Sequence, residues 1–249
     1  MASILSDAQC CTWKENLTRS IAKSRKVRGG NYVQIATVDA DNKPRNRTVV
    51  FRGFVSDSKN GSEALKMITD ARSEKAQYIV DHKSFCEMVW WFSKTSEQYR
   101  IFGKLKLVKE NDEDEHLLQA RKQQWGNLSD AAREQFFWSQ PGKEYSSEET
   151  ASVPKGGRDG ETNKVLPAPP NFLLLLLYPR EVKYLNLRSN YSQFDKLVDA
   201  AKADNMDSTN SRKEIDTIGI ERPSGTTCEE QNSVNAEKNL MWVSRRVNP

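Results

Sequence analysis

The segment Trp90–Leu105, WWFSKTSEQYRIFGKL, constrains this 249-residue chain more than any other. It reads as two β-strands joined by a short polar turn. The first ends in Trp90-Trp91-Phe92 and is nearly all apolar and aromatic, the pattern of a strand buried on both faces. The second starts at Gln98, alternates polar with apolar residues and carries Gly103 in mid-strand. Glycine weakens a strand interior, so its presence there predicts a bend, or the close approach of another backbone or of a ligand. An amide at Gln98, beside such a position, can read the edge of a flat heterocycle. The segment therefore points to a cofactor site on a β-barrel.

The remaining elements fit that architecture. An amphipathic helix is predicted from about Ser6 to Lys26, with Trp13, Leu17 and Ile21 at helical spacing, and Gly29-Gly30 ends it. Strands follow at Tyr32–Val38 and Arg45–Phe54, with a hairpin turn at Asp39–Lys43, and then at Ala64–Thr69. A short helix is expected at Ser73–Val80 and strands at Phe85–Phe92 and Gln98–Val108. Two helical segments come next, about Glu113–Gln124 and Ser129–Trp138, the second with Ser129 as its N-cap. The span 141–168 is expected to be a mobile loop. Phe172–Tyr178 reads as a buried strand, Pro179–Glu181 as a turn and Val182–Leu187 as another strand. Residues 189–239 are polar and expected to be poorly ordered, with a possible helix at Phe194–Ala203. Strand character returns at Leu240–Val243. The whole, 1–249, is expected to be one mainly β domain with attached helices.

Charge and cysteine content exclude several functions. The net charge is +4, and the densest basic group (Arg19, Lys23, Arg25, Lys26, Arg28) has no interleaved aromatic platform, so nucleic acid is not an expected partner. Cys10, Cys11, Cys86 and Cys228 have neither metal-ligand spacing nor a disulfide framework, which suits a reducing compartment. The apolar run Phe172–Tyr178 is too short to span a bilayer. A soluble, cytoplasmic protein without a membrane partner is the expectation.

Two clusters can carry chemistry. Arg47 and Arg52 flank RTVVFRGF. Strand alternation would send them to opposite faces unless the chain bends, and Gly53 is placed to bend it. The second cluster, Thr69-Asp-Ala-Arg-Ser-Glu-Lys75, runs from a strand end into a helix. Outward-pointing amides there, the hydroxyls of Thr69 and Ser73 and the charges of Arg72 and Lys75 favour an anion. Taken singly, these are also compatible with exposed strand arginines and ordinary helix capping. No Ser/His/Asp or Cys/His constellation is visible, and His82 and His116 read as surface residues.

The ordered segments RTVVFRGF, TDARSEK, EQYRIFGKL and WVSRRVNP resemble the motifs of the pyridoxamine 5'-phosphate oxidase-like flavoproteins, in the branch carrying a related FMN-binding domain. The similarity covers Tyr32–Leu107 and returns at Pro169–Leu187 and in the last eight residues. It implies an FMN-binding split β-barrel, a homodimer, and an oxidoreductase moving a hydride from a small substrate to flavin N5. By position it assigns Arg47, Thr48, Val49 and Val50 to the FMN, Thr69, Ser73 and Lys75 to its phosphate, and Gln98 to the ring. Glu74 stands where the oxidase has an FMN-binding arginine, for which Arg72 is expected to compensate. Arg52 replaces a lysine that contacts substrate phosphate. Phe136 and Gln140 replace a tyrosine and an arginine that hold the same group, so the substrate half departs from the oxidase. A flavin enzyme for a less anionic substrate and a non-catalytic FMN-binding protein are the alternatives.

Overall fold

In the computed structural model, residues 12–57, 62–80, 84–144, 153–199 and 240–249 are described. Helix α1 (Trp13–Ser24) begins with a capping box: the Thr12 hydroxyl accepts from Glu15 N, and Glu15 in turn accepts from Thr12 N. It buries Trp13, Leu17, Ser20 and Ser24. Ser20 donates to Glu97, which also accepts from Tyr184, a buried polar contact that anchors the helix to the sheet. The start expected at Ser6 lies outside the described residues.

The strands are β1 (Tyr32–Val38), β2 (Pro44–Val50), β3 (Phe54–Asp57), β4 (Ser62–Asp70), β5 (Phe85–Phe92), β6 (Glu97–Val108), β7 (Phe172–Asn186), β8 (Tyr191–Asp199) and β9 (Leu240–Val247). They run in the order β2-β1-β5-β6-β7-β4-β3, with β8 pairing β7 and β9. The strands at the two ends of that order, β2 and β3, are consecutive in sequence. Residues 51–53 therefore join the two edges of the sheet, and this closes it into a split barrel.

The leucine run explains the centre. Leu173–Leu177 lie between β4 and β6, and all five are buried. Leu174 and Leu176 face Val55, Val108 and Leu117 of helix α3 (Glu115–Gly126). A continuous apolar run is what a strand covered on both faces requires.

Four expectations are corrected here. The strand expected over Arg45–Phe54 is two, because Gly53 adopts φ +112 and breaks it. The turn expected at Pro179–Glu181 is instead a bulge within β7, where the register slips between Phe102 and Gly103. Pro179 cannot donate a ladder hydrogen bond and is accommodated at that irregularity. The helix expected at Phe194–Ala203 is strand over its described part, because β7 extends far enough to pair with Tyr191–Lys196. Finally, Trp90-Trp91-Phe92 is buried on one face only: Trp90 and Phe92 are enclosed while Trp91 is 43% exposed.

Helices α2 (Glu74–Val80) and α4 (Asp130–Glu134) complete the element set, with Ser129 capping α4 as the sequence indicates. A 3₁₀ turn, Gln135–Phe137, extends α4. Within the span expected to be loop, Lys155–Gly157 form a second 3₁₀ turn. Gly156 N donates to Glu134, and Arg158 makes a forked pair with Asp130. Of the described residues, those up to Lys196 together with Ser244–Pro249 belong to a main unit, and 197–199 with 240–243 belong to a smaller one.

Candidate functional site

The break at residues 51–53 builds the site. After β2, Arg52 N donates to Lys66 O and Lys66 N to Gly53 O, both at 2.8 Å, so the chain transfers from β1 to β4 within three residues. Arg47 and Arg52, which an unbroken strand would separate, thereby line one cleft of about 540 Å3. That volume lies in the range of small-molecule sites. Three stretches line the cleft: Arg47–Val50 of β2, the turn region Ile68–Asp70 with Ser73 and Lys75, and a wall made by Ala132, Gln135, Phe136, Trp138, Ser139 and Pro141.

Cations dominate one end. Arg47 is held by donation to Thr37 Oγ1 (2.7 Å) and Arg45 O (2.8 Å). Lys75 Nζ donates to Ser73 Oγ at 3.2 Å, and Ser73 Oγ lies 3.2 Å from Thr69 Oγ1. Burial pulls the Lys75 ammonium below its ordinary pKa, and nearby Arg47 adds to the shift. Burial likewise lowers Arg47 and Arg52. None of the three has an ion pair among the described residues, and Arg52 Nε is buried with no hydrogen-bond partner there. Half-buried cations with spare donors and adjacent hydroxyls suit an anion such as a phosphate. The apolar side chains of Val49, Val50 and Ile68 provide a surface for a ring. The residues present thus fit FMN.

Three sequence assignments fare differently. Thr48, Thr69 and Ser73 fall in the cleft with Arg47 and Lys75. Arg72 does not line it, because its guanidinium forks onto Asp70 (Nη2–Oδ2 2.7 Å, Nε–Oδ1 3.0 Å) and donates to the carbonyl of Trp138 at 2.9 Å. Arg72, expected to compensate for Glu74 at the phosphate, thus has its guanidinium engaged by Asp70 and the Trp138 carbonyl. Gln98 does not line it either, lying between Trp91 and Leu185 on the sheet. Gly103 faces backbone and not a ligand, since a Cβ there would overlap the Tyr178 carbonyl.

On the wall, Phe136 is buried against Phe172 (ring centroids 5.0 Å) and Trp125 (5.9 Å), while Gln140 is not among the lining residues. Sequence reasoning missed Asp70, Trp138, Ser139 and Asn171. Asp70 carried a readable signal, two residues before Arg72 in TDARSEK; Asn171 carried none. A larger hollow, about 1050 Å3, lies beside α4 and Lys155–Gly156. Its acids are already engaged, Asp130 by Arg133 and Arg158 and Glu134 by Gly156 N, so the smaller cleft is the candidate site. His116 is exposed on α3, and His82 lies outside the described residues. Cys86 is buried and its thiol is pushed up to about 12 by burial, which leaves it unreactive at neutral pH. No described helix is long and apolar enough to cross a membrane.

Comparison with known proteins identifies the family and the fold. Residues 10–109 match the family model described as pyridoxamine 5'-phosphate oxidase, FMN-binding domain. A protein of Arabidopsis thaliana named pyridoxine/pyridoxamine 5'-phosphate oxidase 2 is 36% identical over 182 residues, 73% of this chain and 86% of that one. A solved pyridoxamine 5'-phosphate oxidase-related, FMN-binding protein of Nostoc punctiforme superposes with a TM-score of 0.68 at 30% identity, over 96% of this chain and 99% of the other. PhzG of Burkholderia lata, solved with tetrahydrophenazine-1-carboxylic acid, has a TM-score of 0.63 over 100% and 98% of the two chains. Its 14% identity shows a shared fold alone. The chain belongs to the pyridoxamine 5'-phosphate oxidase-like family of split-barrel proteins, whose cofactor is FMN.

Proposed function

We propose that this protein is an FMN-dependent oxidoreductase acting on a small molecule as a homodimer. The observation that carries the reading is the convergence of Arg47, Lys75, Ser73 and Thr69 on one end of a cleft also lined by Thr48–Val50. When bound, FMN supplies a hydride acceptor at N5 that O2 or another acceptor can restore. The protein's part is to hold and orient. Arg47 and Lys75 would neutralise the phosphate, Ser73, whose hydroxyl donates to Asp70 O, would orient the Lys75 ammonium and the Thr69 hydroxyl beside it, and Val49, Val50 and Ile68 would exclude water from the ring. Arg52, whose Nε has no partner among the described residues, remains to anchor an anionic group of the substrate.

The dimer follows from the outer face of the barrel. Trp91, Phe85 and Phe102 are exposed there, with Phe85 stacked on Phe102 at 5.5 Å. The Glu87–Arg100 ion pair separates Trp91 from the Phe85–Phe102 pair on this face, and exposed large aromatic side chains framing a charge pair support an association surface. Gln98 adjoins Trp91 on the same strands, so a second copy seated on this face would carry its own Gln98 toward the neighbouring flavin ring.

Pyridoxine or pyridoxamine 5'-phosphate is the substrate suggested by the name of the Arabidopsis relative. The neutral wall favours a second reading, a flavin enzyme for a less anionic substrate, because neither Phe136 nor Gln140 can neutralise a dianion. Purified protein titrated with FMN and then assayed with pyridoxine 5'-phosphate separates these. FMN binding with turnover supports the oxidase. Binding of a reducible flavin without turnover supports the second reading, and failure to bind FMN sinks both.

A further inference from the structure

The turn that brings Ser73 and Lys75 to the cleft also grips the wall. Its last strand residue, Asp70, accepts from Arg72 N (2.7 Å), Arg72 Nη2 (2.7 Å) and Asn171 Nδ2 (2.9 Å). Both donors then reach past Asp70 to the wall's backbone. Arg72 Nη1 donates to Trp138 O at 2.9 Å and Asn171 Nδ2 to Phe136 O at 2.9 Å. Ala71 N donates to Asn171 O at 2.8 Å, which locks the third member to the same turn. The Asp70 and Arg72 side chains are 13% and 30% exposed, so the fork between them is partly shielded from water, while the Arg72 bond to Trp138 O is exposed. Burial raises the Asp70 carboxyl, yet hydrogen bonds from Arg72 and Asn171 outweigh this and hold it below its usual range.

Those two carbonyls belong to the 3₁₀ turn after α4 and the residue following it. From there the chain runs through Trp138, Ser139 and Pro141, all lining the cleft. Phe136 anchors one point of this segment by packing on Phe172 and Trp125, while its backbone carbonyls, at the end of a short helical turn, take their partners from Arg72 and Asn171. We propose that Asp70, Arg72 and Asn171 are positioning residues that fix the Phe136–Ser139 wall of the cleft, and that Arg72 serves this wall and not the cofactor phosphate. The planar guanidinium suits the task, since one fork engages the carboxylate while another N–H reaches the carbonyl. Lysine cannot do both. The same short turn therefore sets the distance from Ser73 and Lys75 to the surface against which a substrate rests.

The test uses the full-length protein without FMN, followed by amide hydrogen exchange resolved to the 135–141 segment. Asn171→Ala, Arg72→Lys and Lys75→Ala are compared with wild type. Exchange in 135–141 should rise by about 10-fold or more in Asn171→Ala and Arg72→Lys and stay unchanged in Lys75→Ala, with β5 and β6 unaltered in all three. FMN affinity should stay within about 3-fold of wild type in the first two and fall by about 10-fold or more in Lys75→Ala. A loss of FMN affinity in Arg72→Lys with no change in wall exchange would make Arg72 a phosphate ligand and overturn the proposal. So would raised exchange spread equally over β5 and β6, which marks general destabilisation. Should Lys75→Ala retain full FMN affinity, the phosphate-cradle reading fails while the wall exchange still decides the clamp.

Discussion

The two sides of the cleft are built by opposite means. The side proposed for the phosphate carries cations with donors left over, Arg47, Lys75 and, beyond them, Arg52, set beside the hydroxyls of Thr69 and Ser73. The wall side presents neutral residues, packs Phe136 on Phe172 and Trp125, and has two backbone carbonyls bonded by Arg72 and Asn171, which lie outside the cleft. The first specifies what binds by charge, and the second shapes the space in which it binds. A relative can keep one and change the other, which is how a family retains a cofactor while its substrates diverge.

The sharpest way to break this contrast is to remove the phosphate from the cofactor. FMN should bind about 100-fold or more tightly than riboflavin, because two charge-assisted contacts are each worth roughly 1.5–3 kcal/mol. Equal affinities by fluorescence quenching would mean the cationic end holds something else. Next in size is Arg52→Ala. For a phosphorylated pyridoxine it should raise KM by about 10- to 100-fold, or ~1.4–2.7 kcal/mol, while FMN stays bound. Unchanged KM would move Arg52 out of the substrate half.

A second copy would add a third side to the cleft. Trp91→Glu places a charge in the exposed aromatic patch and should weaken self-association by about 10-fold or more, read by sedimentation. A wild-type monomer that still holds FMN tightly would remove that side altogether. The smallest effect is a few-fold pH dependence at the phosphate end. Burial and Arg47 lower the Lys75 pKa in the free protein. FMN pairs with the ammonium form, so affinity is full below that pKa and falls as pH rises through it. Lys75→Arg should flatten the fall, and riboflavin, lacking the phosphate, should not show it.

What could be read from the sequence divides along the same line. Charged and hydroxyl side chains carry their chemistry in their identity, so the gathering of Arg47, Ser73 and Lys75 in one cleft was legible from motif and helix start. The leucine run and the Ser129 cap were legible because local pattern determined them. Long-range geometry was not. Gly103 signalled a close approach, but only the bulge in β7 shows that the Tyr178 carbonyl is what approaches. Phe194–Ala203 had apolar spacing open to either period, and pairing with a long neighbouring strand decided it. Arg72 looked like one more anion donor because its carbonyl partners lie 64 and 66 residues away.

The three-residue link between β2 and β3 also sets how this cleft can change over evolution or by design. It converts an odd-numbered separation along the chain, which an extended strand would splay, into two cations sharing one space. The spacing of Arg47 and Arg52 is thus metered by chain length and by Gly53, not by the choice of side chain. Substitutions at either position can retune the ligand, but inserting or deleting a single residue at 51–53 would rotate Arg52 out of the cleft. Sequence drift should accordingly be tolerated in identity at Arg47 and Arg52, and forbidden both in the length of this link and at Gly53, whose φ of +112 other residues rarely adopt.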